Sequence, residues 1–99
     1  MKAKSVEFLS VARLEVVEAY LWYAERELDV GERFLVAVAL SESRIRQNPE
    51  WGTPHRRKTR KMRVEGFPYH IVYREEADKI VIYTVAHGKR KPDYWIDRL

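Results

Sequence analysis

Six of the nine residues from His55 to Arg63 (HRRKTRKMR) are basic: Arg56, Arg57, Lys58, Arg60, Lys61 and Arg63. A second basic cluster, Lys89-Arg90-Lys91, lies close to the C-terminus. Cations at this density suit a polyanion, because each neutralised phosphate releases condensed counterions. The first run would serve equally as a charged strand edge that resists aggregation; the second cluster shifts the balance toward a binding face. His70 and His87 can trade protons near neutrality, although a histidine on a strand is more commonly structural. Tyr94 and Trp95 follow the second cluster, and aromatics beside arginine can stack single-stranded bases. Trp95 reads as a seal for the end of a small core, which leaves Tyr94 as the more open of the two. With no cysteine and no H-E-x-x-H pattern, neither a metal site nor a cofactor is expected. The chain also lacks G-x-S-x-G, P-loop and paired dinucleotide glycine patterns, so serine hydrolase, NTPase and dehydrogenase readings have no support.

These side chains need a scaffold, and the last third of the chain supplies its centre. Tyr69, Ile71 and Tyr73 alternate with His70, Val72 and Arg74; Ile80, Ile82, Thr84 and Ala86 alternate with Val81, Tyr83, Val85 and His87. Period-two alternation of β-branched and aromatic residues predicts two strands, apolar on both faces and therefore central. Glu75–Lys79 closes them into a hairpin, and Gly88 and Pro92 end the regular structure beyond His87.

Upstream, Lys4–Leu9 reads as a strand, with Ser10 placed to cap a helix over Val11–Leu28. Leu14, Val17, Leu21, Ala24 and Leu28 are its expected buried stripe. Asp29 three residues before Glu32 resembles a capping box and restarts the chain as a second helix. That helix buries Val30, Phe34, Ala37/Val38, Ser41 and Ile45 and ends near Asn48, because Pro49 disfavours helix in the residue before it. Pro49–His55 is a loop that Trp51 is expected to anchor. Arg56–Glu65 reads as a basic strand with Met62 and Val64 inward and Lys61, Arg63 and Glu65 on the other side. Gly66 turns the chain, and Asp93–Leu99 forms a short helix or turn. The order is β-α-α-β-β-β, an α+β fold in which a helical hairpin covers one sheet face. The other face stays partly open, within reach of both basic clusters.

Ninety-nine residues fit one domain spanning 1–99. No apolar run approaches the ~18 residues needed to cross a bilayer, and the N-terminus lacks a signal-peptide core. The absence of cysteine fits a reducing cytoplasm. Charge is uneven: residues 1–43 carry eight acids and five bases, net −3, and residues 44–99 carry seven acids and fourteen bases, net +7. The basic half calls for an anionic partner, either nucleic acid or an acidic protein segment.

The chain resembles the RelE/ParE superfamily of toxins from type II toxin–antitoxin (plasmid-stabilisation) modules. The resemblance rests on the early helical hairpin with Phe34, the Asn48-Pro49…Gly52 loop and Phe67-Pro68-Tyr69-x-Ile71-x-Tyr73. These lead into Ile82…Val85-Ala86-His87-x-x-Arg90-x-Pro92-x-Tyr94-Trp95. It implies a helical hairpin on a curved antiparallel sheet and a growth-inhibiting toxin silenced by a cognate antitoxin. Two mechanisms follow. RelE-like members cleave mRNA on the ribosome without a metal; ParE-like members inhibit DNA gyrase through protein contacts. In the first case the resemblance gives Lys61, Arg63 and Arg90 the scissile phosphate and Tyr94, at a different spacing, a proton-transfer role. His70 stands where the family pattern has an arginine, and His87 is an added acid/base candidate. Arg56, Arg57, Lys58, Arg60, Lys89 and Lys91 would then hold nucleic acid. The antitoxin is expected to lay an amphipathic, often acidic segment over the basic sheet face or the helical hairpin. Contacts to promoter DNA would belong to the antitoxin.

Overall fold

The structure, a computed structural model, describes residues 4–99. The elements are β1 (Ser5–Phe8), α1 (Ser10–Arg26), α2 (Leu28–Gln47), β2 (Thr53–Pro54), β3 (Arg60–Arg63), β4 (Tyr69–Glu75) and β5 (Lys79–His87). Short 3-10 turns lie at Arg56–Lys58 and Ile96–Arg98. The strands form one sheet in the order β1-β5-β4-β3-β2. β3, β4 and β5 are antiparallel neighbours as the alternation predicts, and β1 joins the edge of β5. β1 runs parallel to β5, so the sheet is mixed rather than wholly antiparallel. A bulge opens where Val72 faces Thr84 but Tyr73 faces Ile82, leaving Tyr83 as the extra residue.

The α2 stripe lies where expected: Phe34, Ala37, Val38, Ser41 and Ile45 are buried. Phe34 is the hub, with Tyr23, Phe67 and Tyr69 ring centroids at 5.5, 5.2 and 5.2 Å. Helix α1 differs. Its buried residues are Ala12, Glu15 and Ala19, whereas Leu14 (56 %), Val17 (45 %), Leu21 (47 %) and Leu28 (59 %) face solvent. The most deeply buried positions of the helix are small residues and one compensated carboxylate, with Val16, Tyr20 and Tyr23 half-buried beside them, so its leucines are left on the side away from the sheet. Hydropathy reports polarity and cannot see that compensation.

Other boundaries shift for local reasons. Leu9, not Ser10, is the N-cap of α1, and no side chain caps it. The Leu9 amide still donates to Ile82 O at 3.0 Å, so the chain leaves β1 directly into helix. Glu27 alone separates the helices, and it rather than Asp29 is the N-cap of α2. The basic strand is shorter than Arg56–Glu65. Arg57 (φ 58°) and Lys58 (φ 62°) are left-handed, which breaks the strand, and buried Thr59 pins the turn by donating to Arg56 O at 2.6 Å.

Trp51 does not anchor its loop; it is 59 % exposed. The anchor is Tyr73, whose hydroxyl donates to Pro49 O at 2.7 Å and accepts from Gly52 N at 2.9 Å. The backbone of Gly52 lies against that phenol. A Cβ there would sit 2.9 Å from the ring and closer still to the hydroxyl. Gly52→Ala is expected to cost about 1–3 kcal/mol, the usual penalty for overpacking, measured as a lower urea midpoint at unchanged m-value.

Among the described residues, no helix is long and apolar enough to cross a membrane.

Candidate functional site

The sheet face away from the helices ends in a cleft of about 210 Å³. Strand alternation brings Lys61 (β3), His70 (β4) and Ala86 (β5) to it, and the chain after β5 returns over it with Arg90, Lys91 and Tyr94. His87 lies at the rim. Its ring packs edge-on against Tyr69 on the helical side, at 5.1 Å, and its Nδ1 accepts from the Lys89 amide at 3.0 Å. Five of the six proton- and phosphate-handling candidates therefore converge: Lys61, His70, His87, Arg90 and Tyr94. Arg63 is the exception. It pairs with His70 across the ladder but lines an adjoining depression with Lys61, His70 and Tyr69.

The candidates for holding nucleic acid divide. Arg57, Lys58, Lys89 and Lys91 are exposed. Arg56 pairs with Asp93, which ties the basic turn to the C-terminal segment. Arg60 donates to Gly52 O at 2.8 Å and Glu50 O at 3.2 Å, so it braces the loop before β2.

Two features escaped sequence reasoning. His55 lines the cleft beside Trp95, with ring centroids 5.6 Å apart. The other is Glu15, buried on α1. Its carboxylate accepts from Val85 N (3.1 Å), Thr84 Oγ1 (2.8 Å), Tyr94 Oη (2.7 Å) and both terminal nitrogens of Arg98 (3.0 and 3.1 Å). Thr84 and Tyr94 hydroxyls also lie 2.6 Å apart, so two hydroxyl protons serve three contacts. The signal that could have flagged Glu15 is a lone acid among the alanines Ala12 and Ala19 on one helix face. Its partner Arg98 is 83 residues away in sequence.

Arg90 stacks on Tyr94, its guanidinium carbon 3.9 Å from the ring centroid, and approaches Glu15 at 3.9 Å. Burial raises the Tyr94 hydroxyl above its usual pKa, although the Thr84 contact opposes it. Burial would raise the Glu15 carboxyl too, but hydrogen bonds from Arg98, Tyr94, Thr84 and Val85 outweigh it and hold the group below its usual range.

Burial lowers His55 and His70, and Lys61 pushes both down further, so both favour the neutral form. A histidine depressed in the folded state contributes stability that is complete above its unfolded value, near 6.5, and is lost as pH falls through the folded value. The melting temperature is therefore expected to fall with acidification from about pH 6.5. A His55→Asn/His70→Gln variant should remove that slope. It should keep the later loss, below the ordinary glutamate range, that Glu15 contributes.

What this geometry offers is a cleft of imidazoles ringed by fixed cations, suited to an anionic or hydrogen-bonding partner. No curated protein matches the chain. Among solved structures, a chain titled "Chromosomal ParDE TA system from P. aeruginosa" has the same fold, with TM-score 0.77 and 16 % identity over 86 % of this chain and 96 % of that one. A family model described as "ParE toxin of type II toxin-antitoxin system, parDE" matches residues 6–92, which takes in both helices, β1 from Val6, the other four strands and the basic cleft as far as Pro92. The chain belongs to the ParE toxin family of type II toxin–antitoxin systems.

Proposed function

We propose that this toxin acts by occupancy: it binds DNA gyrase through the basic cleft and its flanking cations, and it cuts no nucleic acid. The match to the ParE family over residues 6–92 carries this reading. The state of the cleft agrees with it. The Tyr94 hydroxyl is already engaged by Glu15 and Thr84, which leaves it poorly placed to move a proton at a scissile phosphate. A cognate antitoxin would silence the toxin from the other side. Leu14, Val17 and Leu21 form an exposed apolar row on α1, with Leu28, Leu35, Val36 and Leu40 exposed on α2. Such a row suits an amphipathic helix laid along the hairpin.

One observation favours a second reading. Lys61, His70, His87, Arg90 and Tyr94 share a single cleft, the set a metal-independent ribonuclease would use to hold developing phosphate charge and move protons. Cells separate the two. On induction, occupancy of gyrase is expected to raise a DNA-damage response while protein synthesis continues at first, with growth restored by co-expressing a cognate antitoxin. Immediate arrest of translation without a damage response would overturn the gyrase reading.

A further inference from the structure

We propose that Glu15 is the positioning residue of the basic cleft, holding the C-terminal segment against β5 and so setting Tyr94 and Arg90 in place. The inference rests on the reading of the cleft as the surface that meets the target.

Strand β1 covers β5 only as far as Ile82. Beyond it the β5 edge would be bare, and an unpaired edge invites a foreign strand. Two side chains stand where the next strand would be. Glu15 accepts from Val85 N at 3.1 Å, and Arg98 donates to Tyr83 O at 2.9 Å, while the two join each other through paired hydrogen bonds. Arg98 (17 % exposed) and Glu15 (8 %) are both largely out of water. A buried ion pair of this kind is costly to break from one side, because the surviving charge is left without compensation. The same carboxylate takes the Tyr94 hydroxyl at 2.7 Å, and the Tyr94 ring is the platform for the Arg90 guanidinium. One acid on α1 thus fixes three residues of the segment that forms one wall of the cleft. A structural ion pair remote from the site would stabilise the fold equally well; this one ends on two cleft residues.

Glu15→Gln keeps the shape and removes the charge. Amide exchange of Ile96, Arg98 and Leu99, which donate to Asp93, Trp95 and Ile96 carbonyls, is expected to speed up about tenfold or more while α2 amides stay protected. Gyrase inhibition should weaken by a similar factor. Should Glu15→Gln fail to fold, Arg98→Met removes the far partner and gives the same two readouts. Wild-type exchange in the segment overturns the proposal, and it does so without any target present. Faster exchange with undiminished inhibition overturns it as well. Lys61→Ala leaves the Glu15 network intact and tests the cleft by itself. Loss of inhibition there, with full inhibition in Glu15→Gln, sinks the positioning role and spares the cleft reading. Full inhibition in both removes the cleft reading too.

Discussion

Phe34→Ala will cost about 3–5 kcal/mol, the usual penalty for deleting a fully buried phenylalanine. A domain of this kind has about 5–15 kcal/mol in all, so the variant will be marginal or unfolded at 37 °C. Phe34 is 0 % exposed and touches three rings: Tyr23 of α1, Phe67 in the turn before β4 and Tyr69 of β4. Its loss leaves a cavity that rigid aromatic neighbours cannot close. Tyr69 in turn supports His87 edge-on at 5.1 Å, so partial collapse would also displace the cleft rim. Urea unfolding followed by tryptophan fluorescence measures the effect. Phe34→Leu, which refills most of the volume, should recover more than half of it.

Replacing Leu14 and Leu21 together with serine will have the opposite profile. Both side chains are about half exposed on the outer side of α1, at 56 % and 47 %, so the isolated toxin should lose no more than about 1 kcal/mol, about 0.5 kcal/mol per site. The complex with the antitoxin should weaken about a hundredfold, the loss expected when two central apolar anchors are each worth more than about 1 kcal/mol. Growth inhibition by the variant would persist, but co-expressed antitoxin would no longer relieve it. Calorimetric titration of the purified pair reads the affinity directly. A destabilised toxin with normal antitoxin affinity would place these leucines in the core and contradict the observed burial.

These two expectations also mark what the sequence could and could not disclose. Helix α2 was legible because its buried stripe, Phe34 to Ile45, is the apolar one. Helix α1 misled because its most hydrophobic row faces outward, while its inner row of Ala12, Glu15 and Ala19 looks like a solvent face. Strands β4 and β5 were legible from alternation alone. Alternation could not reveal that Arg57 and Lys58 take left-handed conformations, since neither is a residue that usually does. The site followed the same logic. Lys61 and His70 converge because cross-strand register follows from alternation once the hairpins are placed. Arg63, at the end of β3, falls into the neighbouring depression instead. Glu15 and Arg98 stayed hidden because they meet only in the fold, side by side at the edge of β5 that β1 leaves uncovered.

The charge distribution acquires a physical meaning in the fold. The acidic half builds the helical hairpin, with its exposed apolar row, and the basic half builds the sheet end that carries the cleft. Two chemically different surfaces thus lie on opposite sides of one sheet. A toxin that must bind a target and be recognised by an inhibitor can use such a division, because each surface can be altered without the other.

The most direct test sets purified toxin against two reactions side by side: DNA supercoiling by gyrase, and integrity of an mRNA on translating ribosomes. Action by occupancy predicts that supercoiling stops at toxin concentrations near those of gyrase while the mRNA stays full length. Prompt cleavage of the mRNA, with supercoiling untouched, would contradict it and return Lys61, His70 and Arg90 to the role of a ribonuclease site.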